Sequence, residues 1–240
     1  MKNEQTIGFD ADDTLWENEV FFHKALIKFK KLHPHIKDPD EEIFQIEKKN
    51  IKLYGYGIKG FILSLIEASA KHSSNQTDIE NITEILNIGK ELLTHHLELL
   101  PGVEDTLKYL SDQFKLIMIT KGDLFDQQRK IQESGLSKYF SSIEIVSEKD
   151  ETAYSDILAK HGILPKNFIM VGNSLKSDIL PVTKIGGTGI FIPHQFTWIH
   201  EKVDENQSGK NYVKLKSILD LKVWLRKNMK TLYQPTRKIE

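Results

Sequence analysis

Four short runs rich in apolar and β-branched residues punctuate the chain: Thr6-Ile7-Gly8-Phe9, Leu116-Ile117-Met118-Ile119, Ile143-Glu144-Ile145-Val146 and Phe168-Ile169-Met170-Val171. A fifth stands at Gly189-Ile190-Phe191-Ile192. The runs are nearly continuous rather than alternating, the pattern of strands covered on both faces. Helical spacing fills the gaps between the later runs, over Leu124 to Glu133, Ala153 to His161 and Ser177 to Ile185. Each helix is long enough to cross a sheet and return to a parallel strand. The pattern predicts an open α/β fold with a Rossmann-like parallel-sheet core.

The gap between the first two runs is far longer than the others, and from about Trp16 to Leu97 helix follows helix. The expected helices are Asn18 to Leu32, Asp40 to Leu53, Gly60 to Lys71 and Asp78 to Leu97, with turns at His33-Pro34-His35 and Ser73-Ser74-Asn75. Leu100-Pro101-Gly102 marks the return to the core, followed by a helix over Val103 to Ser111. The expected division is an α/β core of residues 1–16 and 98–240 with an inserted helical cap of residues 17–97. Val213 to Met229 is amphipathic, and Thr231 to Glu240 reads as a loose basic tail.

A length of 240 residues accommodates one core domain and a smaller insert. The 33 Lys and Arg against 34 Asp and Glu leave a formal charge of −1, without the broad positive field of nucleic-acid or anionic-membrane binders. Neither partner is expected. There is no cysteine, which removes disulfides, thiolate zinc sites and a cysteine nucleophile. The N-terminus turns acidic at Asp10 without the apolar stretch of a secretory signal, and no run approaches the ~20 apolar residues of a spanning helix. The cytoplasm is the expected compartment.

Candidate chemistry sits where the strands end. Asp10-Ala11-Asp12-Asp13-Thr14 places three carboxylates and a hydroxyl directly after the first strand, where open α/β sheets bind ligands. Crowded carboxylates repel unless a cation compensates, and a hard divalent ion with oxygen ligands does so, although Asp13 or Thr14 also suits a helix N-cap. Gly172-Asn173 and Asp178 form a second polar strand end, able to offer oxygens to the first if the strands are neighbours, and Ser177-Asp178 suits a helix cap as well. Thr120, with the Lys121-Gly122 turn, ends another strand, and its N–H groups can hold a phosphate oxygen. Lys149 follows the strand Ile143 to Val146, placed either to neutralise an anion or simply to be solvated.

In the order Asp-x-Asp-x-Thr, Thr, Lys, Gly-Asn and Asp, these strand ends closely resemble the haloacid dehalogenase superfamily of hydrolases, phosphatase type. The insert resembles its class with an α-helical cap. The resemblance implies that Asp10 is the nucleophile, forming an aspartyl-phosphate, and Asp12 the general acid/base. It further implies that Thr120 and Lys149 hold the phosphoryl oxygens, that Thr14 supports the turn, and that Asp10, the Asp12 carbonyl, Asn173 and Asp178 surround Mg2+. Because Asp12 supplies an acid for an alkoxide leaving group, the implied reaction is hydrolysis of a small phosphorylated metabolite rather than 2-haloacid dehalogenation. The family's fourth motif usually begins Gly-Asp. Here Asn173 removes one negative charge from the metal's surroundings.

Two other readings of the same residues are a receiver-like phospho-acceptor and a non-catalytic binder of phosphorylated ligands. The receiver type carries its phosphorylated Asp on the third strand, needs about half this length and has no helical insert. Substrate contacts are expected from Lys121 and Gly122, and from the cap loop Lys52 to Gly60, where Tyr56 and Lys59 suit an anionic or ring-bearing leaving group and an ordinary interhelical loop equally well. Trp16, Glu17 and Phe21 are further candidates for the cleft. A monomer or homodimer is expected.

Overall fold

The structure, a computed structural model, describes residues 5–72, 79–203 and 211–232. The expected turn at Ser73 to Asn75, the first residue of the helix expected from Asp78 and the tail beyond Leu232 lie outside the described residues.

Strands β1 (Thr6–Phe9), β2 (Lys115–Lys121), β3 (Ser142–Val146), β4 (Phe168–Gly172), β5 (Thr188–Phe191) and β6 (Val213–Lys214) form one parallel sheet in the order β3-β2-β1-β4-β5-β6. Every residue of β1 and β4 is buried, as their continuous apolar sequences require. The two directions of winding part between β1 and β4, so their carboxyl ends flank a crevice. Phe9 pairs with Val171, and the Asp10 N–H still donates to the Val171 carbonyl at 2.9 Å. This register brings the acidic end of β1 beside the Gly172-Asn173 end of β4.

Residues on successive sides of the strands feed different layers. Leu116 and Met118 pack with Leu107 and Leu110 of α5 (Val103–Ser111), with Ile131 of α6 (Leu124–Ser134) and with Leu221 and Leu225 of α9 (Ile218–Leu232). Ile117 and Ile119 face the opposite layer, with Tyr154 and Leu158 of α7 (Glu151–Lys160) and Val182 of α8 (Leu180–Lys184). Two details differ from expectation. The segment expected to be amphipathic from Val213 opens with the short strand β6, its helix starting only at Ile218. The helix expected from Ser177 begins as a π-helical turn over Leu175–Ile179.

The insert is built from α1 (Glu19–Leu32), α2 (Pro39–Tyr54), α3 (Ile58–Lys71) and α4 (Ile79–Thr94). Its apolar faces close on a separate cluster that includes Phe29, Ile46, Leu65 and Ile85, each almost fully buried. The chain leaves and re-enters the core along paired segments: Leu100 N–H donates to Leu15 O at 3.0 Å and Glu17 N–H to Glu98 O at 2.9 Å.

Candidate active site

The turn after β1 is held by Ala11, whose carbonyl accepts from the N–H groups of Thr14 and Leu15 at 3.2 and 2.8 Å. Asp13 adopts φ 57°, a left-handed conformation that a short polar residue tolerates, and its carboxylate caps α1 by accepting from Asn18 N–H at 2.9 Å and Glu19 N–H at 3.0 Å. Its cap reading is therefore realised, with burial raising its pKa to about 7. Asp10 and Asp12 are left facing the cavity above the sheet.

Asp10 is buried, and its carboxylate accepts from Lys149 Nζ and, at 3.0 Å, from Thr14 Oγ1. Lys149 also donates to Asp178 Oδ1 at 2.8 Å, while the other Asp178 oxygen accepts from Ser174 N–H at 3.0 Å. Burial opposes the charge on Lys149, but Asp10 and Asp178 more than offset it and hold its ammonium above the ordinary lysine range. Asp178, fully enclosed and next to Asp10, is pushed up to about 7. Gly172 is required here, since a Cβ at that position would lie 2.3 Å from Asp178 Oδ2.

Asp12 is held differently. Its oxygens accept from Lys130 Nζ at 2.7 and 2.8 Å, from Trp16 Nε1 at 2.6 Å and from Gln127 Nε2 at 3.2 Å. Gln127 also donates to Thr120 Oγ1, which is buried at the end of β2. Lys121 Nζ donates to Ser177 Oγ at 3.0 Å, pairs with Glu201 and lies 4.4 Å above the Tyr56 ring. Gly122 follows with φ 148°.

The Asn173 amide decides whether the site fits a cation. One of its terminal atoms lies 3.0 Å from Asp10 Oδ2, 3.3 Å from the Asp12 carbonyl oxygen and 3.2 Å from Thr14 Oγ1. Surrounded by oxygens, the amide satisfies its contacts with NH2 turned inward. The same oxygens, with the amide turned to present its own oxygen, would suit a hard divalent cation, so this donor set fits Mg2+. Both oxygens of Asp178 are engaged by Lys149 and Ser174, which places it behind Asp10 as a partner of the lysine. A second set, Asp13, Glu17 and His194, has ligand atoms within 4.8 Å of one another and could also hold a metal ion. His194 already bridges its two acids, at 3.5 Å from Asp13 and 3.0 Å from Glu17.

Over these groups lies a cavity of about 140 Å³, walled by Asp10, Asp12, Thr120, Lys121, Lys149 and Asn173 below and by cap residues above. Tyr56 lines it and donates its hydroxyl to Glu148 of the core. Burial, followed by Glu148, raises the pKa of that hydroxyl. Lys59 instead turns outward, more than half exposed, to pair with Asp123 at 3.0 Å. Four residues with contacts to the site had no reading from sequence. Gln127 and Lys130 sit inside a helix without a motif, Trp198 and Glu201 in an irregular segment after β5. No sequence signal marks them: in α6 the polar Asp126, Gln127 and Lys130 lie on the buried face with Ile131, while the apolar Leu124 and Phe125 are exposed.

Comparison with known proteins gives three findings. A family model described as haloacid dehalogenase-like hydrolase matches residues 4–186. N-acylneuraminate-9-phosphatases of Rattus norvegicus and Mus musculus are 25% identical over 191 residues, covering 73% of this chain and 76% of theirs. Among solved structures, a haloacid dehalogenase-like family hydrolase from Xanthomonas campestris superposes with a TM-score of 0.83 at 34% identity, covering 93% of this chain and 91% of that one. A putative hydrolase from Bacillus subtilis bound to magnesium has a TM-score of 0.66 at 16% identity, covering 94% and 100%, a likeness of fold.

Proposed function

Because the chain belongs to the haloacid dehalogenase-like hydrolases, we propose that it hydrolyses a small-molecule phosphate monoester through an aspartyl-phosphate on Asp10. The observation that carries this reading is the convergence of Asp10, Asp12, Thr120 and Lys149 in one cavity at the carboxyl end of the central strand. The names of the rat and mouse relatives support phosphate ester as the substrate class.

In this mechanism an oxygen of Asp10 attacks phosphorus, and the ester oxygen leaves with a proton from Asp12. Water then attacks the acyl phosphate, giving its proton back to Asp12 and releasing phosphate. Lys149 offsets charge on the transferring oxygens and pairs with Asp10. Thr120 donates its hydroxyl to a phosphoryl oxygen, with Gln127 orienting it. Lys121 and the N–H of Gly122 close the other side of the phosphoryl group. Mg2+ held by Asp10, the Asp12 carbonyl and Asn173, with Asp178 supporting through Lys149, would supply further compensation for phosphate charge.

The paired segments at Leu15 to Glu17 and Glu98 to Leu100 support a division into a core of residues 1–16 and 98–240 and a cap of residues 17–97. The cap then admits and encloses the alcohol part, with Tyr56 at the seam and Lys59 latching it to Asp123. We place the reaction in the cytoplasm, in a monomer or homodimer. Phosphate release from an aryl phosphate and a metabolite panel, with and without Mg2+, tests the proposal. Absence of turnover by the folded chain with Mg2+ present refutes it.

A further inference from the structure

Helix α6 carries an ammonium where contact with the core calls for an apolar side chain. Lys130 is 3% exposed, on the same buried face as Ile131. Its Nζ donates to both oxygens of Asp12, at 2.7 and 2.8 Å, and to Asn18 Oδ1 at 3.2 Å, and it lies 3.6 Å from Asp126. An ammonium has three N–H groups, and these three side chains account for them. Lys130 is thus committed to side chains rather than to a phosphoryl oxygen.

The partners are arranged so that Asp12 receives most of this hold. Asn18 precedes α1, where an asparagine side chain ordinarily caps the helix. Here the Asp13 carboxylate takes the N–H groups of Asn18 and Glu19, and Asn18 Oδ1 accepts from Lys130 instead. Asp126 is met more closely by Arg129, at 2.8 Å. Asp12 is gripped on both sides: Oδ1 accepts from Lys130 and from Trp16 Nε1 at 2.6 Å, Oδ2 from Lys130 and from Gln127 Nε2 at 3.2 Å. Turning that carboxylate about its own axis breaks hydrogen bonds at both oxygens. A buried ion pair adds little net stability over an apolar side chain of similar volume, so direction is the larger effect of this one.

We propose that Lys130 is a positioning residue, acting on the reaction through Asp12 by holding its carboxylate towards the leaving oxygen of the ester, with Asn18 as the second anchor of the lysine. The inference deepens the phosphatase reading and rests on it. Misplacing a reacting group by about 1 Å costs on the order of 10²-fold in rate. That cost falls on the proton transfer made by Asp12. Attack by Asp10 and the hold of Thr120 and Lys149 on the phosphoryl group do not pass through Lys130. Loss of the lysine therefore matters in proportion to how much the leaving oxygen needs a proton.

The test measures kcat/KM on an alkyl and an aryl phosphate for the unmodified chain, Lys130→Met, Asn18→Ala, and Asp12→Asn with and without Lys130→Met. Lys130→Met should lose about 10²-fold on the alkyl ester and less than about threefold on the aryl ester, with inhibition by inorganic phosphate unchanged. In the Asp12→Asn chain the same substitution should cost nothing further, since the group it acts through is gone. A merely structural role lowers both esters alike. Equal losses, no loss on the alkyl ester, or a further loss in the Asp12→Asn chain overturns the proposal. If Lys130→Met does not fold, Asn18→Ala decides by the same comparison, because it keeps the ammonium and removes one anchor. A several-fold loss confined to the alkyl ester is expected, and an equal or absent loss overturns the proposal. No turnover of either ester by the unmodified chain refutes the phosphatase reading and the proposal with it. Turnover with unselective losses refutes the proposal alone.

Discussion

Asp12 meets three side-chain donors, the ammonium of Lys130 among them. In the proposed mechanism it must carry a proton when the ester bond breaks. Removing its proton matters in proportion to the basicity of the leaving oxygen. Asp12→Asn should lower kcat on an alkyl phosphate by about 10²–10⁴-fold and on an aryl phosphate far less. Steady-state rates on the two esters measure this, and equal losses contradict the assignment. Asn173 makes a separate statement. A carboxylate there adds a unit charge beside the cation, on the order of 1 kcal/mol or more, so Asn173→Asp should lower the Mg2+ concentration for half-maximal activity several-fold. An unchanged or higher requirement means that Asn173 does not face the metal. At the other end of the cavity, Glu19 has its pKa raised in the folded chain. It therefore keeps its proton longer when folded, and the stability this contributes is full below the unfolded glutamate value of about 4.3 and lost as pH rises through the folded value. Glu19→Gln should gain stability relative to the parent chain as pH rises towards neutrality, read from denaturation midpoints at a series of pH values.

Helix α6 inverts the usual rule for a surface helix. Asp123 caps it by accepting from Asp126 N–H at 3.1 Å, and its buried face carries Gln127 and Lys130 because both reach Asp12. Lys130→Met leaves Asp12 and Asp126 without that ammonium. It should cost on the order of 3 kcal/mol, reduced because Asp12 remains partly exposed to the cavity, and Asp12→Asn in the same chain should recover part of the loss. Chemical denaturation of the two single variants and the double variant measures this coupling. The same helix shows where sequence reading stops. Its limits were legible from helical spacing, but its inward face was not, because Leu124 and Phe125 look like the buried residues and are exposed. Strands β1 to β5 were legible because each is a short apolar run between turn residues. Strand β6 was not, since Val213–Lys214 is two residues long and exists only by pairing with β5. Glu201 and Trp198 reach the cavity from a segment without regular periodicity, and only tertiary placement reveals them.

At the scale of the molecule, the proposed chemistry sits at the carboxyl ends of β1, β2, β3 and β4, while the cap supplies the opposing wall. The motif residues Asp10, Thr120, Lys149, Asn173 and Asp178 were legible because strand ends in a parallel sheet converge by topology, whatever the intervening sequence. What the cap contributes was less legible, because residues such as Glu19 and Glu47 line the cavity only through the placement of the cap. Core and cap are joined by only two adjacent crossings, besides contacts such as Lys59 with Asp123 and Tyr56 with Glu148. In the proposed mechanism, opening at this seam would give substrate a route to Asp10 without disturbing the sheet. All of this depends on Asp10 becoming covalently phosphorylated. The direct measurement is rapid quenching during turnover of an aryl phosphate, followed by borohydride reduction and peptide mass analysis, since reduction converts an aspartyl-phosphate to homoserine. Homoserine at position 10 and no turnover by Asp10→Asn are expected. Phosphate release with position 10 unmodified, or undiminished turnover by Asp10→Asn, would contradict it.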